Sequence, residues 1–393
     1  MNLLVNNLQE KEAVTLFNKI KTPNIRIYNL MIDLYRKLNQ PNEAVSYFIL
    51  MINNDIDPTL STINRLIDAF ARNSDEMNAI SWFNMMNYYK LEPNSSSYTI
   101  IINMYARLTL PYGNAKRNEY AIMNVSYWFN RMLHSTTPVV IKPLNCIMHM
   151  FARLGRINDV LAWYHIMKYN FFITPDLFTY TIIIGMYSKL NKPELALMWY
   201  NEKSNPDIVM SNTIIDMYGK LGDTFNAMEI YRSISDPDIF TFTTLIDMWG
   251  KMGNPDEVEN LYNTMIERGI KPNVNTHTVM IRGSTWENVL YHNDILEKNE
   301  SLTNTSISVF IDSCGFNNQL QVAIDFWDRI TMNYYHLFNA NTYTSMIEAC
   351  GRCGEYEKGT EILERFENSP FYQSSTQDEL NKLYTTYATQ ITY

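Results

Sequence analysis

Ten polar residues recur near the start of a repeated segment in this 393-residue chain: Asn29, Asn64, Thr99, Asn145, Thr181, Asn212, Thr243, Thr278, Ser308 and Thr344. Their steps are 35, 35, 46, 36, 31, 31, 35, 30 and 36 residues. Amides and hydroxyls of this kind do not titrate near neutrality, so their chemistry is recognition through donated and accepted hydrogen bonds. A second series closes the segments, mostly after a proline: Thr59, Asn94, Asp176, Asp207, Asp238, Asn273 and Asn339. A third is cationic, with Lys37, Arg72, Arg107, Arg153, Lys189, Lys220 and Lys251 in the same place of successive segments and Arg352 near the end. Cations in single file suit a row of phosphates.

Catalytic and metal chemistry find little support. Cys350-Gly351-Arg352-Cys353 has the spacing of half a zinc site, but no second pair or suitably spaced histidine accompanies it. Cys314 and Cys350 fall at the ring position of their segments, which points to packing, and four cysteines (with Cys146 and Cys353) make no disulfide framework. The histidines, at 134, 149, 165, 277, 292 and 336, share no register. Neither a phosphate-binding glycine loop nor a nuclease carboxylate cluster is visible. The sequence predicts no enzyme activity, no cofactor and no metal.

The elements that carry the three series are helix pairs. In the first pair, Leu30, Met31, Leu34, Tyr35 and Leu38 recur at helical spacing, and a second helix opens with Pro41-Asn42-Glu43-Ala44 before Val45, Phe48 and Met51. Proline at the first helical position and an early acid are helix-start chemistry, repeated at Pro193-Glu194 and Pro255-Asp256-Glu257. A short helix pair cannot bury its own apolar faces, so pairs must stack, which predicts an all-α fold, an α-solenoid of repeats about 31 to 36 residues long. The pattern divides into a partial repeat at 1–24, repeats 1–3 at 25–140 and the best-formed repeats 4–7 at 141–273. Degenerate repeats 8–9 follow at 274–339, then repeat 10 at 340–370 and a helical cap or tail at 371–393. An insertion at about 109–119 should be an exposed loop, and Trp286 and Phe316 should interrupt the cations. Lys11-Glu12-Ala13-Val14 matches Asn42-Glu43-Ala44-Val45, which places Met1 inside a repeat and predicts a fragment of a longer array.

Tyr28-Asn29-Leu30-Met31-Ile32-Asp33-Leu34-Tyr35-Arg36-Lys37-Leu38 returns as Ser211-Asn212-Thr213-Ile214-Ile215-Asp216-Met217-Tyr218-Gly219-Lys220-Leu221 and again from Phe242 to Met252. These segments, closed by Pro-Asp or Pro-Asn, resemble the pentatricopeptide repeat family over nearly the whole chain. The resemblance implies a right-handed solenoid that binds single-stranded RNA at one base per repeat. It also implies that the early polar residue and the closing residue of each repeat choose the base. A closing carboxylate only accepts, which suits the ring N–H of G or U, whereas Asn also donates and suits A or C. Carried over, Asn145 with Asp176 implies U, Thr181 with Asp207 G, Asn212 with Asp238 U and Thr243 with Asn273 A, a core of 5'-UGUA-3'. Asn29 with Thr59 and Asn64 with Asn94 imply pyrimidines, Ser308 with Asn339 leans to A, and Thr344 implies a purine. Thr99 and Thr278 have no clear closing partner.

Phe178, Val209 and Phe240 precede the central readers and suit stacking between bases, where Arg26, Ser61, Ser96 and Asn275 are poorer wedges. A net charge of -9 excludes a polybasic nucleic-acid binder. The expected resolution is that acids gather at second-helix starts and repeat ends while seven cations stay in file, giving a log–log salt slope of about -5 at about -0.7 per phosphate. No apolar run approaches the length of a membrane span, so no membrane partner is expected. The Asn-, Thr- and Met-rich composition resembles a fungal or protist member of the family. Through the resemblance this implies a mitochondrial protein acting in RNA processing, stability, translation or small-subunit rRNA maturation, with RNA-processing enzymes or the mitoribosome as partners. The alternative is a protein-interaction scaffold or a structural subunit associated with the mitoribosome.

Overall fold

The computed structural model describes residues 1–110, 115–203 and 205–391, and among them all regular structure is helical. Contacts divide the chain into two compact units, Met1–Ser204 and Asn205–Tyr393. In the first, the opening helices of repeats 1 to 5 are Ile25–Lys37, Leu60–Arg72, Ser95–Arg107, Ile141–Arg153 and Leu177–Lys189. In the second, repeats 6 to 10 open with Ile208–Leu221, Ile239–Lys251, Val274–Gly283, Asn304–Phe316 and Ala340–Arg352. Within each unit these helices pack on their own second helix and on the next opening helix, the stacked-pair architecture of an α-solenoid.

The start of seven of the opening helices is set by the closing residue of the repeat before it. Thr59, Asn94, Asp176, Asp207, Asp238, Asn273 and Asn339 are all N-caps, each accepting a hydrogen bond from the third backbone amide of the helix. Such a cap stabilises a helix by about 1 kcal/mol relative to alanine. A Thr or Ser three residues on, such as Thr62, Ser97, Thr179, Thr241 or Thr276, returns a bond to the cap's own backbone and is fully buried. Helix ends are equally local: Gly222 sits at φ 74°, the left-handed conformation that reverses the chain into the second helix of repeat 6.

The apolar stripe predicted from spacing is the core. Met31, Ile32 and Leu34 have no exposed surface, and burial of each such side chain contributes about 2 kcal/mol. Aromatic edges lock neighbouring pairs, as where Phe83 meets Tyr98 at 5.3 Å and Trp128 at 4.9 Å between ring centres. Opening helices approach closely because the residue before the ladder cation is small in most repeats: Ala71, Ala106, Ala152, Ser188, Gly219 and Gly250. A Cβ on Gly283 would lie 2.4 Å from the Gly250 Cα, so any side chain there must push repeats 7 and 8 apart.

Two expectations from the sequence are corrected. The insertion at 109–119 is not an exposed loop throughout: Thr109 is fully buried, Ala115–Leu133 form one 19-residue helix, and residues 111–114 lie outside the described residues. The Asn118 amide accepts from the Leu110 N–H at 3.0 Å and donates to its carbonyl at 2.9 Å, folding the segment back on repeat 3. Trp286 does not occupy a cation's place, because the opening helix of repeat 8 stops at Gly283 and Trp286 starts the next helix. Near the C-terminus, Gln377–Ile391 packs on Ala340–Arg352 with Leu383 buried, so an apolar face of repeat 10 is covered.

Candidate nucleic-acid interface

In repeats 4 and 6 the capping residue also meets the early polar residue of the repeat it closes. Asn145 Nδ2 donates to Asp176 Oδ1 at 3.1 Å and Asn212 Nδ2 to Asp238 Oδ1 at 3.2 Å. The buried Thr of the next helix completes both sites. Thr179 Oγ1 lies 2.8 Å from Asn145 Oδ1 and from Asp176 Oδ1, sharing its one proton, and Thr241 Oγ1 lies 2.8 Å from Asn212 Oδ1 and 2.9 Å from Asp238 Oδ1. The amide is thereby held in one orientation, and Oδ1 of the aspartate is saturated by the backbone amide, the hydroxyl and the Asn. Among the described residues nothing bonds Oδ2 of Asp176 or Asp238, which leaves one acceptor oxygen for a ligand N–H.

Other repeats are less complete. Asn64 reaches Asn94 only at 3.5 Å, and the Oδ1 atoms of Asn29 and Asn64 are buried without a partner. Threonine at the same place turns its hydroxyl back on its own helix: Thr99 donates to the Ser95 carbonyl at 2.6 Å, Thr181 to Leu177 at 2.9 Å, and Thr278 and Thr344 to Val274 and Ala340 at 2.8 Å. Thr243 instead meets Thr276 Oγ1 at 3.2 Å, beside the cap Asn273. Thr278 and Thr344 are buried, as is Asn145, while Ser308 is half-buried. Repeat 3 lacks a polar cap altogether, because Val140 stands at its closing position. Thr181 and Asp207 belong to different units.

The expected stacking residues project outward: Phe178 is 56% exposed, Val209 53% and Phe240 65%, as are other large apolar side chains of the chain such as Phe172 and Phe225. The cations, by contrast, are not the uniform file that the sequence suggested. Five have an acid four residues earlier on the same helix: Lys37 with Asp33 at 3.5 Å, Arg72 with Asp68 at 2.9 Å, Lys220 with Asp216 and Lys251 with Asp247 at 2.5 Å, and Arg352 with Glu348 at 2.9 Å. Asp247 is shared with Arg282, and Arg352 also lies 4.0 Å above the Phe316 ring, which takes the ladder place of repeat 9. Acids therefore stand within the file as well as at repeat ends, and they neutralise much of it. The exceptions are Arg107, Arg153 and Lys189, whose corresponding residues are Asn103, His149 and Gly185.

Sequence reasoning missed the buried Thr179 and Thr241 beside Asn145 and Asn212, and the acids before the cations. Both were written in the chain, as a hydroxyl three residues after the cap and a carboxylate four residues before the cation. It also treated the histidines as unrelated, whereas His277 Nδ1 and His292 Nδ1 lie 2.9 Å apart in the hairpin of repeat 8. Burial and the His277 neighbour push His292 down to about 4, the behaviour of a packed neutral pair. Cys314 and Cys350 are fully buried, and burial raises their thiols to about 12 and about 11. Among the described residues no group of side chains could hold a metal, and no helix is long and apolar enough to cross a membrane.

Two sequence profiles match, together over more than half of the chain. The PPR repeat family matches residues 58–107 and 237–284, and the PPR repeat matches 26–56, 178–203, 209–236 and 341–371. No curated protein sequence matches the chain. Among solved structures, the pentatricopeptide repeat protein PPR10 from maize is similar at 17% identity and a TM-score of 0.49, covering 98% of this chain and 55% of that one. PPR10 in complex with an 18-nt psaJ RNA element is similar at 16% identity and a TM-score of 0.43, with the same coverage. The chain thus spans about half the length of these structures.

Proposed function

We propose, from the premise that this chain belongs to the pentatricopeptide repeat family, that it binds single-stranded RNA without catalysing a reaction on it, and that repeats 4 to 7 read 5'-UGUA-3'. The observation that carries this reading is the Asn–Asp–Thr constellation, built twice with the same contacts at Asn145, Asp176 and Thr179 and at Asn212, Asp238 and Thr241. In each, the aspartate uses one oxygen to hold the fold and keeps the other for a base. An acceptor of this kind suits the N3–H of uracil and repels the unprotonated N3 of cytosine. Phe178 and Phe240 supply stacking worth about 1 to 3 kcal/mol per base, and Val209 an apolar wedge.

Binding of a labelled RNA carrying UGUA, compared at two salt concentrations with an RNA in which those bases are permuted, tests the reading. Equal binding, or none, overturns it. Asn212→Thr should move the third preference from U towards G at similar affinity, because threonine bonds its own helix and vacates the space of the amide. The wider role we propose, in mitochondrial RNA processing, stability, translation or small-subunit rRNA maturation, rests on the family resemblance; recovery of mitochondrial transcripts by crosslinking to the full chain tests it. Repeats 8 to 10 favour a second, local reading as a protein-interaction surface. Their readers Thr278 and Thr344 are buried while Phe316 is 74% exposed.

A further inference from the structure

Arg107, Arg153 and Lys189 end the opening helices of repeats 3, 4 and 5 and line one surface pocket of 510 Å³ together with Asn103, Ala106 and His149. No carboxylate lines it, and among the described residues none forms an ion pair with any of the three. Arg153 bonds only a neutral group, donating from Nη2 to the Thr109 carbonyl at 2.7 Å. His149 reaches solvent, yet burial of its ring, followed by the Arg153 and Lys189 charges, lowers its pKa, so near neutrality it adds an uncharged imidazole. Three like charges in one pocket repel one another unless an anion stands between them. Every equivalent cation in repeats 1, 2, 6, 7 and 10 has an acid four residues earlier. Here alone on the ladder, on three successive repeats, those acids are replaced by Asn103, His149 and Gly185.

The location gives the charge a use. An adjoining pocket shares His149, Arg153 and Lys189 and is lined by Phe178 and Thr181. A base stacked on Phe178 would carry its sugar-phosphate past these cations. Upstream, repeat 3 has no polar closing residue, so the first complete reader, Asn145 with Asp176, coincides with the middle of the cationic site.

We propose that Arg107, His149, Arg153 and Lys189 form a dedicated anion site for RNA phosphate, at the start of the base-reading repeats, and that it carries most of the backbone affinity of this chain. This rests on the RNA-binding reading but not on the base assignment. The chemistry is a phosphate oxygen cluster, supplied either by a 5'-terminal phosphomonoester or by consecutive internal diesters. With three uncompensated cations, the log–log salt slope should be about -2, in place of the about -5 of seven equivalent ones.

The test uses the full chain, with Arg153→Gln against Lys220→Gln. Arg153→Gln should weaken RNA binding about tenfold at low salt and flatten the slope by about 0.7, whereas Lys220→Gln, whose charge is already paired, should cost less than about twofold. His149→Asp writes into repeat 4 the acid that its siblings carry, and should act like Arg153→Gln while leaving that residue in place. Both losses should persist on base-permuted RNA, since phosphate contacts carry no base information, so a wrong base assignment does not imitate a wrong site. Six-nucleotide RNAs beginning UGUA, with 5'-phosphate or 5'-hydroxyl, distinguish the sources: a phosphate-dependent gain abolished by His149→Asp assigns the terminal group, and equal binding still weakened by His149→Asp assigns internal diesters. Equal losses from Arg153→Gln and Lys220→Gln overturn the site. If no RNA binds, inorganic pyrophosphate should still raise the melting temperature of the wild type and not of His149→Asp; no rise in the wild type overturns the site independently.

Discussion

Repeats 1 and 2 and repeats 3 to 5 are built on the same opening helix, thirteen residues long and ending in a cation. They differ in what that cation meets. In repeats 1 and 2, Asp33 and Asp68 gather Arg36, Lys37, Arg65 and Arg72 into one network, in which Arg36 bonds Asp33 at 2.8 Å and Asp68 at 2.5 Å. In repeats 3 to 5 the cations face one another across a pocket. A periodic charge is therefore two different devices. Paired with an acid it is neutralised on its own helix, where the same acids also take inter-helix bonds from Arg36 and Arg65, and unpaired it keeps a charge that the proposed phosphate site would use.

The largest effect should come from erasing the difference. Asn103→Asp, His149→Asp and Gly185→Asp together give repeats 3 to 5 the acids of repeats 1 and 2, and should lower RNA affinity on the order of 100-fold at low salt in an anisotropy titration. Retained affinity would show that the ladder acts uniformly. The reverse exchange, Asp33→Asn with Asp68→Asn, should destabilise the first unit by about 2 kcal/mol in chemical denaturation, because Arg36 is largely buried and loses both partners. The same variant should steepen the salt slope of RNA binding as Lys37 and Arg72 are released. A stability loss without a steeper slope would mean that the freed cations point away from the ligand.

This contrast also marks where the chain was legible and where it was not. The register of readers, caps and cations could be read because each recurs at one residue per repeat, and the structure brings Asn145 to Asp176 and Asn212 to Asp238 as that register requires. The state of a charge could not be read from the charge itself, since Lys220 and Lys189 look alike until Asp216 and Gly185 are compared four residues back. Length was equally misleading. Eleven apparently surplus residues around 109–119 are partly helix, and the shortened opening helix of repeat 8 moves Trp286 out of the ladder.

A second difference separates complete readers from incomplete ones. Asn145 and Asn212 each accept from a buried Thr, whereas the amide oxygens of Asn29 and Asn64 are buried without a donor. An orphaned buried acceptor leaves the amide free to turn, so reading in repeats 1 and 2 should be less selective. Thr241→Val removes the hydroxyl at nearly constant volume and should cost about 1 to 1.5 kcal/mol of stability, through the lost capping bond and the orphaned Asn212 oxygen. Its diagnostic effect is a weakened U preference at the third core base while affinity for other RNAs is kept. Asp238→Asn is the control, since Asn caps as well as Asp; stability should hold while preference moves from U towards C. Unchanged selectivity in Thr241→Val would reduce the buried hydroxyl to a capping role.

The smallest effect concerns protons, and its sign separates the two uses of charge. His149 faces Arg107 from repeat 3, Arg153 on its own helix and Lys189 from repeat 5, with no acid lining the pocket. Its pKa in the free protein lies below the ordinary 6.5, so the unfolded chain binds the proton better and acidification through that value slightly destabilises the fold. A phosphate seated among the same groups reverses the local field and raises the pKa of His149 in the complex. Complex formation then takes up a proton, and affinity for RNA should rise a few-fold between pH 7.5 and about 6, while stability of the free protein falls over the same interval. In His149→Asn the affinity trend should vanish, while the fall in stability should shrink but persist, because His277 and His292 are also held below the ordinary value. Wild-type affinity that falls on acidification, or rises equally in the variant, would place the phosphate away from this imidazole and return the three cations to the status of ordinary surface charge.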